Sequence, residues 1–285
     1  VLYGQGHPYA HLELGKATSV AKITYEDLSS FKREWWHPTA LSLLVAGDVS
    51  IEEIEKEVTK SFSGMVAREA TEAIEVPSFD NPTGLFGYEV KGLPQTAILL
   101  GSTLPPPMSK EHSSFAVAHN IVCGSFGSRL NMRLREELGY TYGVRSARVY
   151  KRGGGHWVCC FPVEKTKTKE ALSEAISILS KCSVSAKELE ECKRVLPFNS
   201  LIRLQSTGVV GRSLRELLTL GLPLELWSKL FDTGADAQLD AVQDMLNSKF
   251  KPSKLTVALI GDLNAFEDDV NSLSLGKLER VTAPF

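Results

Sequence analysis

Arg135 and Tyr142, seven positions apart, carry the clearest chemistry in this chain. A guanidinium keeps its charge at any ordinary pH and donates through a planar fork, and a phenol donates one O–H. Converging on one oxygen, the two can grip a developing oxyanion. They flank a helix end marked by Gly139, within the run Leu134-Arg135-Glu136-Glu137-Leu138-Gly139-Tyr140-Thr141-Tyr142-Gly143. Spacing alone leaves blander roles open. Arg135 in a last helical turn also complements the helix dipole, and Tyr140 and Tyr142, alternating along an expected strand, share a face on which either can simply pack.

The group that would activate water is missing. No His-x-x-Glu-His string occurs. His7 and His11 have the spacing of a helical metal pair, but Gly4, Gly6 and Pro8 argue against a helix there. His119 and Cys123 stand one turn apart on an expected helix with no glutamate to act as a base, so a buried, satisfied histidine is the expectation. The metal ligands expected in this chain are therefore none. Five cysteines, an odd set without Cys-x-x-Cys spacing, read as reduced thiols, and Cys159 and Cys160, adjacent in a strand, face opposite ways. Gly153, Gly154 and Gly155 lack the strand-then-helix setting of a phosphate loop and read as a hairpin turn.

Composition narrows the partners. With 32 basic and 34 acidic residues the net charge is −2, which leaves no surplus field for nucleic acid or an anionic membrane. The longest apolar runs, 41–47 and 255–261, fall well short of the roughly 20 residues that span a bilayer. The chain opens on Val1, and the expectation is a piece cut from something longer.

The elements that must position the pair follow from an internal repeat. Pro38 precedes Gly47-Asp48 as Pro252 precedes Gly261-Asp262, an offset of 214 that also matches Leu28 to Val242, Phe31 to Met245 and Trp36 to Phe250. Each copy reads as an amphipathic helix ended by proline, a buried strand and a Gly-Asp turn. Two related domains are implied: residues 1–67 as the tail of a first, 68–87 as a linker, and 88–285 as a complete second. Within the second, the pattern predicts a strand over 96–101 and a helix over 110–122 with Phe115, Ala118 and Val122 on one face. A helix over 129–138, strands over 142–150 and 157–163, and a helix over 168–181 follow. Ser185-x-x-Glu188 opens another helix that kinks or restarts at Pro197, and more helix follows to about Leu220, broken by Gly221 and Pro223. The order suits an α+β fold, a largely antiparallel sheet with helices packed on one face.

Gly124-x-x-Gly127-Ser128-Arg129-Leu130, followed by Leu134-Arg135-Glu136-Glu137-x-Gly139-Tyr140-x-Tyr142-Gly143, resembles the second domain of insulinase-type (pitrilysin, M16) metallopeptidases, with a LuxS/MPP-like fold. His7-Pro8-Tyr9 and the helix-Pro-strand-Gly-Asp unit are similar to the later part of that family's first domain. The resemblance implies that Arg135 and Tyr142 reach across a clamshell to bind the scissile carbonyl and its oxyanion. It implies that the backbone of Gly124, Ser125, Phe126, Gly127 and Ser128 contacts a peptide substrate. Zinc and the general base would belong to the missing N-terminal half, in the same polypeptide or as a separate subunit; this chain alone would be inactive, and a dimer is allowed. The alternative it implies is a non-catalytic scaffold or partner subunit of the same fold. Unpaired cysteines lean towards the cytoplasm, with the periplasm as the other compartment.

Overall fold

A computed structural model describes residues 1–4, 6–11, 13–69, 75–107, 109–226 and 234–282. The N-terminal segment carries α1 (Ala17–Val20), α2 (Tyr25–Trp35) and α3 (Ile51–Phe62). Reciprocal capping boxes, Thr24 with Asp27 and Ser50 with Glu53, start α2 and α3. The strand expected over 41–47 does not form. Its backbone is irregular and Leu41, Leu43 and Val45 are exposed, because a strand needs a ladder partner and none lies beside it among the described residues.

From residue 84 onward the chain builds one sheet. Its strands are β1 (Gly84–Glu89), β2 (Gln95–Leu104), β3 (Arg145–Lys151), β4 (Gly154–Glu164), β5 (Thr256–Gly261) and β6 (Glu279–Arg280), in the order β3-β4-β2-β5-β1-β6. The β3–β4, β4–β2 and β2–β5 pairs are antiparallel, whereas β1 runs parallel to β5 and β6. The α+β, mostly antiparallel reading holds. β1 takes in 84–87, which the sequence assigns to the linker, and residues 70–74 of that linker lie outside the described residues. Asn81 pins the segment to the sheet, donating to Thr256 Oγ1 and the Lys254 carbonyl and accepting from Ser102 Oγ and Thr103 N–H.

Alternation along β4 sends Trp157, Cys159, Phe161 and Val163 to one face, where they meet Ile98, Leu100, Val257 and Leu259 in a core that is closed to solvent. Helices cover that face: α4 (Glu111–His119), a three-residue α5 (Arg129–Asn131), α6 (Thr168–Ser180), α7 (Ala186–Arg203), α8 (Thr207–Leu220), α9 (Leu239–Met245) and α10 (Glu267–Asn271). Phe115, Ala118 and Val122 are buried as expected, but every residue from His112 to His119 is buried too, so α4 is enclosed on all sides rather than amphipathic. α7 runs from Ala186 to Arg203 with Pro197 inside it, so the helix does not restart there. The missing proline N–H removes one hydrogen bond, and an 18-residue helix seated on buried Leu189 and Cys192 tolerates the loss. On the opposite face of the sheet, Tyr3 hydrogen-bonds His156 Nδ1 at 2.6 Å and stacks among His7, Tyr9 and Phe79.

Candidate functional site

Three of the helices end or continue in π-turns, at Asn120–Gly124, Met132–Glu137 and Leu246–Phe250. The second of these holds Arg135. Such widened turns are rare and recur at functional positions, because they re-aim one side chain without ending the helix. Gly139, at φ +63°, then stops the chain, with Tyr140 N–H reaching back to the Leu134 carbonyl.

The loop after Gly139 corrects one expectation. β3 begins at Arg145, so Tyr142 stands on a loop ahead of the strand, and strand alternation does not pair it with Tyr140. Tyr140 packs against the core, whereas Tyr142 is 87% exposed. The two tyrosines therefore separate into a packing residue and a free one.

Arg135 and Tyr142 come together. The guanidinium carbon of Arg135 lies 5.4 Å from the Tyr142 ring centroid and 4.6 Å from that of Phe126. Contacts of this kind contribute about 0.5–1 kcal/mol each at exposed positions, enough to orient a long side chain. Nε of Arg135 is 3.3 Å from Glu136 Oε1, and the guanidinium forms no other ion pair and no hydrogen bond among the described residues. The fork therefore has donors to spare at the surface.

The run 124–128 divides. Gly124, Phe126 and Gly127 are exposed, with Phe126 65% so, and Ser125 is half-buried. Ser128 is buried and its carbonyl accepts from Met132 N–H, so it offers helix initiation rather than contact surface. Gly124 has a steric reason to be glycine: a Cβ there would stand 2.6 Å from His119 Nδ1.

Asn131 escapes a reading by motif. It is buried, donates through Nδ2 to the Phe126 carbonyl at 2.7 Å and accepts through Oδ1 from Val144 N–H at 3.0 Å. One amide thus ties the loop of Phe126 to the loop of Tyr142. The available signal was a helix-disfavoured asparagine inside a run of good helix formers. Arg129 fixes the same helix from outside, donating to Glu188 Oε1, the Ser183 carbonyl and Cys182 Sγ. The Glu188 carboxyl is held below its usual range: burial pushes it up, but hydrogen bonds from Arg129 and Ser185 and the charge of Arg129 outweigh that.

The zinc that the family implies does not fit these residues. Both nitrogens of His7 are engaged, Nε2 with the Pro77 carbonyl and Nδ1 accepting from Tyr9 N–H. His119 corrects the expectation of a satisfied histidine: Nε2 is buried without a hydrogen-bond partner, and burial, then the charge of Arg148, lowers its pKa to about 3. Its ring neighbours are Phe115 and Trp157, not ligands. Among the described residues no group of three or more His, Cys, Asp or Glu can hold a metal ion. The five cysteines are free thiols, Cys159 buried and Cys160 half-buried on opposite faces of β4. No helix among the described residues is long and apolar enough to cross a membrane.

Comparison with known proteins agrees with this architecture. Residues 22–196 match the family model of the peptidase M16 inactive domain. The chain belongs to the M16 family. It is 24% identical over 223 residues to the uncharacterized zinc protease YmxG of Bacillus subtilis, covering 77% of this chain and 53% of that protein. To the non-peptidase homolog YmxG of Helicobacter pylori it is 21% identical over 260 residues, covering 90% and 60%. The chain thus spans about half to three fifths of these relatives. A solved M16 inactive domain from Pseudomonas fluorescens superposes with a TM-score of 0.75 at 21% identity, covering 91% of this chain and 63% of that one. A chain of the Candida albicans complex III dimer gives a TM-score of 0.75 at 13% identity, covering 95% and 67%, which speaks to fold alone.

Proposed function

We propose that this chain supplies the oxyanion-binding and peptide-contacting side of an M16-type peptidase whose zinc site belongs to a companion half. The observation that carries this reading is the placement of Arg135. Its guanidinium lies against Phe126 and an almost fully exposed Tyr142, pairs only with Glu136 among the described residues, and is carried on a π-turn fixed through Asn131. A tyrosine needed for packing would lie against the core, as the partly buried Tyr140 does. A carbonyl oxygen docked here receives hydrogen bonds from the Tyr142 hydroxyl and the Arg135 fork, and both strengthen as the oxygen gains charge. Neither group needs to change protonation to do so. The water-activating metal and base would come from the companion half, as the names of the zinc protease relatives suggest.

The companion half also accounts for the apolar surface of the N-terminal segment, where Phe31, Trp36, Leu43 and Ile51 are exposed. A surface of this kind marks an interaction site. In the holoenzyme, Arg135→Ala or Tyr142→Phe is expected to lower kcat at least about tenfold, up to a thousandfold, with zinc content unchanged. Unaltered turnover in both variants would remove the oxyanion role. The name of the Helicobacter relative favours a second reading, a non-catalytic partner of the same fold. On that reading the same substitutions leave turnover of the assembled complex untouched.

A further inference from the structure

β3 begins three residues after Tyr142, and its outer side is open. β4 pairs one side of the strand, and no backbone hydrogen bond reaches the other among the described residues. Alongside this edge a cleft of about 440 Å3 separates β3 from α8, lined by Arg148, Arg212, Arg215 and Glu216. Arg129, Arg133 and Arg280 are each held by a carboxylate elsewhere in the molecule. None of the three cleft arginines forms a salt bridge among the described residues; Glu216 faces Arg148 and Arg215 without closing one, and burial pushes its carboxyl up. Arg145 stands exposed on the other face of the same strand, since it pairs with Cys160 while Arg148 pairs with buried Trp157. A chain of net charge −2 thus places, on both faces of one open edge, cations that form no salt bridge among the described residues.

Resting on the reading above, we infer that this edge takes an extended acidic segment of the peptide substrate as an added strand, with an acidic side chain lodged in the β3–α8 cleft. An open edge offers backbone donors and acceptors to any extended chain, and alternate side chains of the added strand supply the selectivity. Charge complementarity selects the acidic one. Arg148 lies six residues beyond Tyr142, three steps through the loop and three along β3, a span of at most about 20 Å. The preferred acidic position therefore lies about six residues from the bond gripped by Arg135 and Tyr142.

The test is fluorescence anisotropy of the full chain with two labelled extended peptides that differ only in an Asp-Glu pair, replaced by Asn-Gln, about six residues from the centre. The acidic peptide is expected to bind at least about tenfold more tightly at low salt, a preference that shrinks as salt rises. Arg212→Ala/Arg215→Ala, on exposed positions of α8, is expected to abolish the preference, and Glu216→Gln to increase it. N-methylation of alternate amides in the acidic peptide is expected to weaken binding in one of the two registers. Equal affinity for the two peptides, a preference that survives the double arginine variant, or indifference to N-methylation in both registers would each overturn the inference. Arg135→Ala and Tyr142→Phe separate the two claims: the acidic preference persists in them even if turnover shows that the oxyanion reading fails.

Discussion

Residues 24–47 and 238–261 follow the same local design at an offset of 214 and end in opposite surroundings. Both have a helix, a 3-10 turn opened by proline (Pro38–Ala40 and Pro252–Lys254) and a Gly-Asp pair. Trp36 is 59% exposed where its counterpart Phe250 is fully buried, and Leu43 is 59% exposed where Val257 is fully buried. In the second copy the apolar run becomes β5 between β1 and β2; in the first it has no neighbour and forms no strand. Proline punctuation acts within a few residues and operates in both copies, whereas a side-chain cap, Thr24, starts the helix of the first copy only. A strand depends on another strand, and a hydrophobic face depends on something to cover it.

The largest contrast should appear in amide hydrogen exchange of the chain by itself. The β5 amides are expected to exchange more slowly than those of residues 41–46 by a factor on the order of a thousand, since only the former open with the global core. Equal protection of the two would break the comparison. Adding the companion half should slow the 41–46 amides selectively. A smaller contrast concerns side chains. Val257→Ala and Leu259→Ala are each expected to cost about 2–4 kcal/mol in urea unfolding. Leu43→Ala and Val45→Ala should stay within about 0.5 kcal/mol, because they delete contacts that are already solvent-exposed.

The smallest expected effect reads the depth of the C-terminal core through His119. Burial keeps its ring neutral in the folded protein, with a pKa near 3, against about 6.5 when unfolded. Below pH 6.5 the unfolded chain binds a proton that the folded chain refuses, so stability falls as pH drops from 6.5 towards 3, by at most about 1.4 kcal/mol per unit. His156 is shifted the same way by burial and Lys151, so the informative quantity is a difference. Between pH 7.5 and 5.5, His119→Gln should lose less stability than the parent; identical pH slopes would place His119 in water.

Much of the second copy was legible because its signals are local or periodic. Gly153 and Gly154, both at positive φ, turn the β3–β4 hairpin where glycines were expected, and Ser185 with Glu188 caps α7. Arg135 and Tyr142 were legible as a pair, although the sequence put Tyr142 on a strand that starts three residues later. Backbone widening at Met132–Glu137 leaves no compositional mark, since π-turns arise from how a helix is pressed by its neighbours. The bridging of two loops by Asn131 was equally hidden, because its partners are backbone groups of Phe126 and Val144 that no motif specifies. Pro197 misled for a related reason: the packing of an entire helix outweighs one lost hydrogen bond.

Joint action of Arg135 and Tyr142 on one oxygen is tested most directly by a double-mutant cycle on kcat/KM in the holoenzyme. Arg135→Ala, Tyr142→Phe and their combination are expected to show strong non-additivity, the double variant little worse than the poorer single one. Losses that simply add, or no loss in either single variant, would contradict a shared oxyanion site.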